Sequence, residues 1–364
     1  MNSTILCQMI NLLTLEKISD KLLSQILLST KHNIQIFFKE NYNNQNNLLE
    51  FYLTLAKSTI LVVGSQNITR PIMENWRRYK PRENLLIISL GSSFSQIDLI
   101  AAKELGIDVH NTPGANSQAV SEYVIRQMMN LSVKKRDDMS AFDLKNGQIY
   151  PRQTYYSDGL WGKTLALIGT GNIGSKVARS ALALGMKVKG YSPHFSIDKA
   201  NSLGVEYCES IERVLAGSDY LSIQVPLKRQ GEEHPTVNLL TYKRIEHLNR
   251  GAKIINCSYS EIINIDDLIK HLNSGHISGF ALDAILRPCK EIVLKYPYLA
   301  THENTIITPS IATASDQTEK EMWKVAMDII EKFIERNNLS ESLLKDNIDP
   351  DRETRGDVVD SMYG

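Results

Sequence analysis

The sequence has no surplus of either charge: Lys+Arg and Asp+Glu both number 41 in 364 residues. That balance removes the long-range field by which nucleic acid or an anionic membrane surface is attracted, so neither is expected as a partner. Cysteine is scarce as well. The four thiols, Cys7, Cys208, Cys257 and Cys289, are scattered, with no Cys-x-x-Cys pair and no Cys/His spacing suited to a metal. They read as reduced thiols of a cytoplasmic protein, and no metal site is expected. No apolar run approaches the roughly 18 residues needed to cross a bilayer. The patch Ile5–Leu15 is broken by Gln8 and Asn11 and has neither a basic leader nor a small-residue cleavage site, so no signal peptide is expected.

What the chain does have is one highly ordered stretch from Lys163 to Ser192. Thr164–Ile168 is a short apolar run fit for a buried strand, and it feeds directly into Gly169-Thr170-Gly171-Asn172-Ile173-Gly174. Val177, Ala178, Ala181, Leu182 and Leu184 then fall on one face of a helix, Gly185 closes it, and Met186–Tyr191 reads as a second strand. A glycine turn between strand and helix suits a dinucleotide. Gly169 makes the tight turn, Gly171 lets the backbone approach a pyrophosphate, and Gly174 lets helix and strand pack closely. Asn172 and Ile173 open the helix, whose first N–H groups face the phosphates.

At 364 residues two domains are the default. Strand-like runs at Ile34–Phe38, Thr59–Val63, Leu85–Leu90 and Ile107–His110 alternate with helical patterns, including one over Leu12–Leu28 and one over Ile97–Leu105. NYNNQNN (41–47) reads as a polar loop. Such alternation predicts parallel sheets with helices on both faces. Asn111-Thr112-Pro113-Gly114 breaks the pattern before a long helix, Ser117–Val133. Further strands are expected at Tyr220–Val225, Ala252–Asn256, Gly279–Asp283 and Thr305–Thr308, with helices at Ile265–Leu272 and Thr318–Arg336.

From residue 55 to 337 the chain resembles the D-isomer-specific 2-hydroxyacid dehydrogenases. The segments that carry the likeness are AAKELGIDVHNTPGANSQAVSEYV (101–124), LWGKTLALIGTGNIG (160–174), VPL (225–227), RGAKIINCS (250–258), GFALDA (279–284) and ITPSIA (307–312). The resemblance implies a Rossmann cofactor domain (113–312) inserted into a flavodoxin-like substrate domain (1–112 plus 313–337), with 338–364 as a flexible tail. It further implies pairing into a homodimer, an active site in the cleft between the domains, and a nicotinamide cofactor touched by Gly169, Gly171, Asn172, Ile173, Gly174, Ser192, Pro226, Cys257 and Asp283. Ser65, Gly91 and Ser92 fall on loops that in the family offer backbone N–H groups to a small carboxylate ligand, and Arg126 is a candidate for reaching an anion.

The family's chemistry needs an arginine, a glutamate and a histidine, and this sequence departs at all three. Tyr259 stands where the carboxylate-holding arginine of NxSRG is expected, and Ser310 stands where the histidine of TPH is expected. Arg287 stands where the histidine's glutamate partner is expected. A lysine would replace the planar arginine poorly, and an unaided serine hydroxyl is no general base at neutral pH. The acidic residue that usually meets the adenosine ribose is Ser192 here. A neutral serine with no arginine nearby leaves NAD(H) slightly ahead, while NADP(H) stays compatible. The loop Lys228–Thr236 is longer than the family's. Three readings follow: a cofactor-binding protein that is catalytically altered or a pseudoenzyme; a hydride-transferring oxidoreductase for a small 2-hydroxy or 2-oxo acid, rebuilt around Arg287, Tyr259 or His302; and a corepressor-like dimer responsive to NAD(H).

Overall fold

A computed structural model of the chain describes residues 10–39, 45–94, 96–133, 145, 147, 156–283 and 288–337. They divide into two compact units. Residues up to Ala115, joined by those from Glu319 onward, form the first; Asn116–Thr318 forms the second.

In the first unit, β1 (Ile10–Thr14), α1 (Asp20–Ser29), β2 (Ile34–Phe38), α2 (Gln45–Lys57), β3 (Ile60–Val63), α3 (Arg70–Tyr79), β4 (Leu85–Ser89), α4 (Leu99–Glu104) and β5 (Ile107–Asn111) follow in order. The sheet runs β2-β1-β3-β4-β5 with every pairing parallel, the flavodoxin-like order. Its central strands are covered on both faces, so β3 and β4 are buried at every position.

Two expectations for this region are corrected. The apolar spacing over Leu12–Leu28 is a strand followed by a helix rather than one helix. Leu12 and Leu13 are wholly buried because β1 lies between β2 and β3, and a strand buried on both faces gives the same apolar run as a helix. The helix begins only at Asp20, where the Ser19 hydroxyl accepts from Leu22 N. The polar stretch 41–47 is not loop throughout, since α2 starts at Gln45. Phe51 and Leu55, one turn apart, are fully buried, and that burial outweighs the poor helix propensity of the asparagines.

The second unit begins with α5 (Ser117–Ser132). It continues through β6 (Thr164–Ile168), α6 (Asn172–Ala183), β7 (Lys187–Tyr191), α7 (Ile197–Leu203), β8 (Glu206–Tyr207), α8 (Ile211–Leu215), β9 (Tyr220–Ile223), α9 (Tyr242–Ile245), β10 (Ala252–Asn256), α10 (Ile265–Asn273), β11 (Ile277–Asp283), α11 (Pro288–Lys295), α12 (Pro297–Thr301) and β12 (Thr305–Thr308). Strand order is β12-β11-β10-β9-β6-β7-β8, again all parallel. The chain winds outward in both directions from β6 and β9, which places a topological switch point between them. One apolar layer, with Val120, Val124, Leu165 and Ala178, covers one face; the other, with Leu221, Ile254, Leu268 and Phe280, covers the opposite face.

The last helix, α13 (Asp316–Arg336), runs back to the first unit. There Trp323, Ala326, Ile330, Phe333 and Ile334 pack with Leu12, Val62, Leu86 and Ile88. Among the described residues no helix is long and apolar enough to cross a membrane.

Candidate functional site

Parallel sheets bind ligands outside the carboxyl ends of their strands, beside the switch point. In the second unit that edge carries the glycine turn after β6. Gly169 has φ 98° and donates its N–H to Tyr191 O at 2.8 Å. A Cβ there would lie 2.2 Å from Gln224 O, so conformation and space both demand glycine. At Gly174 a Cβ would meet Gly169 O at 2.0 Å, whereas at Gly171 it would meet nothing within 4 Å among the described residues. The turn is therefore tight on its protein side and open on the other. Gly171 caps α6 with no side-chain acceptor. Asn172 is exposed and Ile173 half-buried at the helix entry, where the first N–H groups have no partner within the helix. Ser192, half-buried, follows β7 and turns the chain by accepting Phe195 N at its carbonyl.

The neighbouring strand ends are tied together by short polar links. Ser258 Oγ donates to Val225 O at 2.9 Å, joining the end of β10 to that of β9. Its N–H donates to Asn256 Oδ1, and Asn256 Nδ2 donates to Tyr259 O. Asn256 thereby sets the turn that presents Tyr259, which is half-buried against the apolar layer on that face. Exposed Pro226 opens the long loop. Thr236 closes it, its hydroxyl accepting Lys228 N and donating to Pro226 O, both at 2.7 Å. Just before the loop lies Gln224, whose Nε2 donates to Ser222 Oγ at 3.1 Å while its buried Oε1 has no hydrogen-bond partner among the described residues. Burial, then the charge of Asp283, pushes the Cys257 thiol well above its ordinary range, and contact with Gln224 only partly opposes this.

Asp283, at the end of β11, is buried and fully engaged. Oδ1 accepts the Thr308 hydroxyl at 2.6 Å and Ile311 N at 2.9 Å, while Oδ2 accepts Ala312 N at 2.9 Å. Because Thr308 donates to the carboxylate, the Tyr123 hydroxyl donates to Thr308. Burial pushes that phenol up to about 12, with Asp283 adding to the effect and Thr308 and Arg126 opposing it. Arg126 is exposed and sets its guanidinium 4.8 Å from the centre of the Tyr123 ring. Ser310 is exposed on the turn that Asp283 holds, with φ 54°, a left-handed conformation uncommon outside glycine.

The remaining sequence candidates lie elsewhere. Arg287 lies outside the described residues. His302 precedes β12, whereas Ser310 follows it, so His302 stands at the opposite edge of the sheet from the glycine turn. In the first unit, Ser65 is exposed just beyond β3, the Gly91 N–H donates to Thr112 Oγ1 at 2.7 Å, and the Ser92 carbonyl accepts Asn111 Nδ2 at 2.9 Å. Glu16 sits where a Cβ on Gly64 would be, 2.0 Å from its Oε1, and is held by Gln66 Nε2 at 2.9 Å.

Tyr123, Thr308 and Gln224 escaped the sequence reading. Tyr123 looked like one more apolar position of a helix, and Thr308 like the last residue of a strand. Gln224 carries no motif; only its place directly after a switch-point strand marks it.

Residues 127–312 match the family described as D-isomer specific 2-hydroxyacid dehydrogenase, NAD binding domain. The chain is 30% identical over 291 residues to D-3-phosphoglycerate dehydrogenase of Methanocaldococcus jannaschii, covering 80% of this chain and 52% of that protein. It is 30% identical over 287 residues to hydroxypyruvate reductase of Thermotoga maritima, covering 78% of this chain and 86% of that one. The chain spans about half the length of the phosphoglycerate dehydrogenases it matches. The apo-structure of D-lactate dehydrogenase from Escherichia coli superposes with a TM-score of 0.70 at 23% identity, covering 89% of this chain and 97% of that one, a likeness of fold.

Proposed function

The chain belongs to the D-isomer specific 2-hydroxyacid dehydrogenase family, and from that premise we propose that it binds a nicotinamide dinucleotide but has altered or lost the family's proton transfer. The observation that carries the first half is the asymmetry of the glycine turn. Gly169 and Gly174 are closed in by backbone oxygens, while the Cβ direction of Gly171 is empty to 4 Å, a cradle that any larger residue would fill. The entry to α6, free of a capping side chain, suits a pyrophosphate. The unpartnered Gln224 Oε1 next to the turn suits a hydrogen-bond donor.

A bound nicotinamide dinucleotide supplies the hydride that such reactions transfer. Gly169, Gly171, Asn172, Ile173 and Gly174 would hold its phosphates and Ser192 its ribose, with Pro226, Cys257 and Asp283 toward the nicotinamide end. Ser192 does not repel a 2′-phosphate, but no arginine stands near it in the sequence to hold one, which leaves NAD(H) slightly ahead of NADP(H). The second half of the proposal rests on what stands at the reactive positions. Tyr259 offers no planar cation for a carboxylate and Ser310 no base. Asp283 already spends both oxygens on the 308–312 turn. In the first unit, Glu16 sets a negative charge against Gly64, beside the Ser65 loop where the resemblance expects a carboxylate. His302, the substitute base in the rebuilt-enzyme reading, stands at the far edge of its own sheet.

Calorimetry with NADH and NADPH, followed by absorbance assays with a panel of 2-oxo acids, tests both halves. Binding of NADH with no turnover is the expected result. Absence of affinity for either dinucleotide removes the first half, and NADH oxidation by any of the 2-oxo acids removes the second. Pairing into a homodimer belongs to the same proposal, and sedimentation of the full chain checks it.

A further inference from the structure

The loop Lys228–Thr236 and the turn after β7 meet on the surface of the second unit, and what they bring together is not part of the dinucleotide cradle. His194 comes from the turn, and Glu233 and His234 from the loop. One ligand atom of each lies within 4.8 Å of the others. The two imidazoles meet edge to face at 5.9 Å between ring centres, with planes 78° apart. His234 Nε2 stands 3.4 Å from Glu233 Oε1. Neighbouring residues of an extended strand point to opposite sides; the left-handed backbone at His234, φ 55°, lets both side chains face His194.

We propose that His194, Glu233 and His234 form a binding site for a late first-row divalent cation of the zinc type. Two imidazoles and one carboxylate are a borderline donor set. It suits Zn²⁺ and its neighbours better than Mg²⁺ or Ca²⁺, which take oxygen ligands. Metal–donor distances of about 2.0–2.2 Å put neighbouring donors of a tetrahedral shell roughly 3.4 Å apart. The Glu233–His234 pair already has that spacing. The His194 ring is exposed on its turn, and drawing its donor nitrogen in from within 4.8 Å of the other two closes the two remaining edges. The Glu233 backbone carbonyl is occupied by Lys228 Nζ at 2.9 Å, which ties that ammonium to the main chain. Three protein donors leave a fourth position for water, and the ion would clamp the long loop to the β7 turn. The proposal is independent of whether the protein turns over any substrate.

The test is calorimetry on the full chain stripped with a chelator and titrated with ZnCl₂, with Co²⁺ absorption as a second readout. One equivalent is expected to bind, with Co²⁺ d–d bands of a four-coordinate nitrogen–oxygen site. Removing a partner that only supports a ligand costs 10–100-fold in metal affinity, so His194→Ala and His234→Ala should each weaken binding by more than about a hundredfold, and Glu233→Gln by about tenfold or more. All three positions are exposed, so the variants should keep the parent's circular dichroism and melting temperature. Zn²⁺ binding that survives in the His194→Ala/His234→Ala double variant places the ion elsewhere and overturns the proposal. So does the absence of any binding by the parent chain.

Discussion

The Thr308 hydroxyl donates to Asp283 Oδ1 at 2.6 Å, and this one bond joins the ends of two neighbouring parallel strands beneath the turn that carries Ser310. With Ile311 N and Ala312 N on the same carboxylate, the turn is held from inside as well as by its own backbone bond from Ser310 N to Thr308 O.

Asp283→Asn should therefore cost more than its small change in shape. An amide cannot accept at both oxygen positions, so either the buried Ala312 N–H or the part-buried Ile311 N–H loses its partner, at a cost of about 1–3 kcal/mol. Thr308→Val in a Tyr123→Phe background, which removes the link to Asp283 without stranding the Tyr123 hydroxyl and leaves both amides satisfied, should cost about 1 kcal/mol relative to Tyr123→Phe alone. Urea unfolding of the two variants measures the difference, and equal losses would show that the amides do not depend on Asp283.

Two glycines of the same turn should behave oppositely. Gly174→Ala forces a Cβ to 2.0 Å from Gly169 O and is expected to destabilise by about 1–3 kcal/mol, as overpacking does. Gly171→Ala meets no protein atom within 4 Å and has an ordinary negative φ of −74°, so its melting temperature should match the parent's while NADH affinity falls at least tenfold. Thermal melts and calorimetry on both proteins decide the matter. A Gly171→Ala variant that binds NADH normally would refute the assignment of the cradle.

His271 is buried, donates from Nε2 to Tyr242 O at 3.1 Å, and stacks on the Tyr242 ring at 4.1 Å. Burial lowers its pKa below the ordinary 6.5, and the nearby His276 adds to this; the Tyr242 carbonyl, Glu246 and Asp267 oppose it. A histidine kept neutral in the fold but protonated when unfolded contributes stability above pH 6.5. That contribution is lost as pH falls toward the folded-state value. Unfolding free energy should drop below pH 6.5, and His271→Gln should flatten that slope. A slope unchanged in the variant assigns the drop to other groups.

The phenol of Tyr123 gives the alkaline counterpart. Its pKa rises to about 12 in the fold, so the stability linked to its proton is present below pH 10 and is lost as pH climbs from 10 towards 12. Absorbance titration near 295 nm should show one late-ionising tyrosine fewer in Tyr123→Phe. Loss of an early-ionising one instead would place the Tyr123 hydroxyl in solvent.

Thiol labelling separates the described cysteines from the rest. Cys208 and Cys257 are both buried, with burial as the leading cause of their raised pKa values. Neither should react with iodoacetamide at pH 8 in the native chain, whereas both should react in urea. Peptide mass spectrometry reads the sites, and native labelling of Cys257 would contradict its burial beside Asp283.

The alternation of apolar runs and the glycine turn made the parallel sheets legible, because both are written in consecutive residues. Thr164–Ile168 and Gly169–Gly174 could be placed without any distant contact. What stayed hidden depends on partners far along the chain. Leu12 and Leu13 gave no sign that a strand would flank them on each side. Gln45–Lys57 owes its helix to Phe51 and Leu55 meeting a sheet rather than to its asparagines. The link from Tyr123 through Thr308 to Asp283 joins three segments that no spacing rule connects. The same holds for His194 and His234, which sit on separate loops.

The first unit takes its sheet from the beginning of the chain and one covering helix from near its end. During synthesis at about 5–20 residues per second, the roughly 200 residues of Asn116–Thr318 emerge in between. For some tens of seconds the face formed by Leu12, Val62, Leu86 and Ile88 has no Trp323 or Ile330 to close it. The later unit can finish folding on the ribosome while the earlier one waits, and that waiting surface is where a chaperone would be needed.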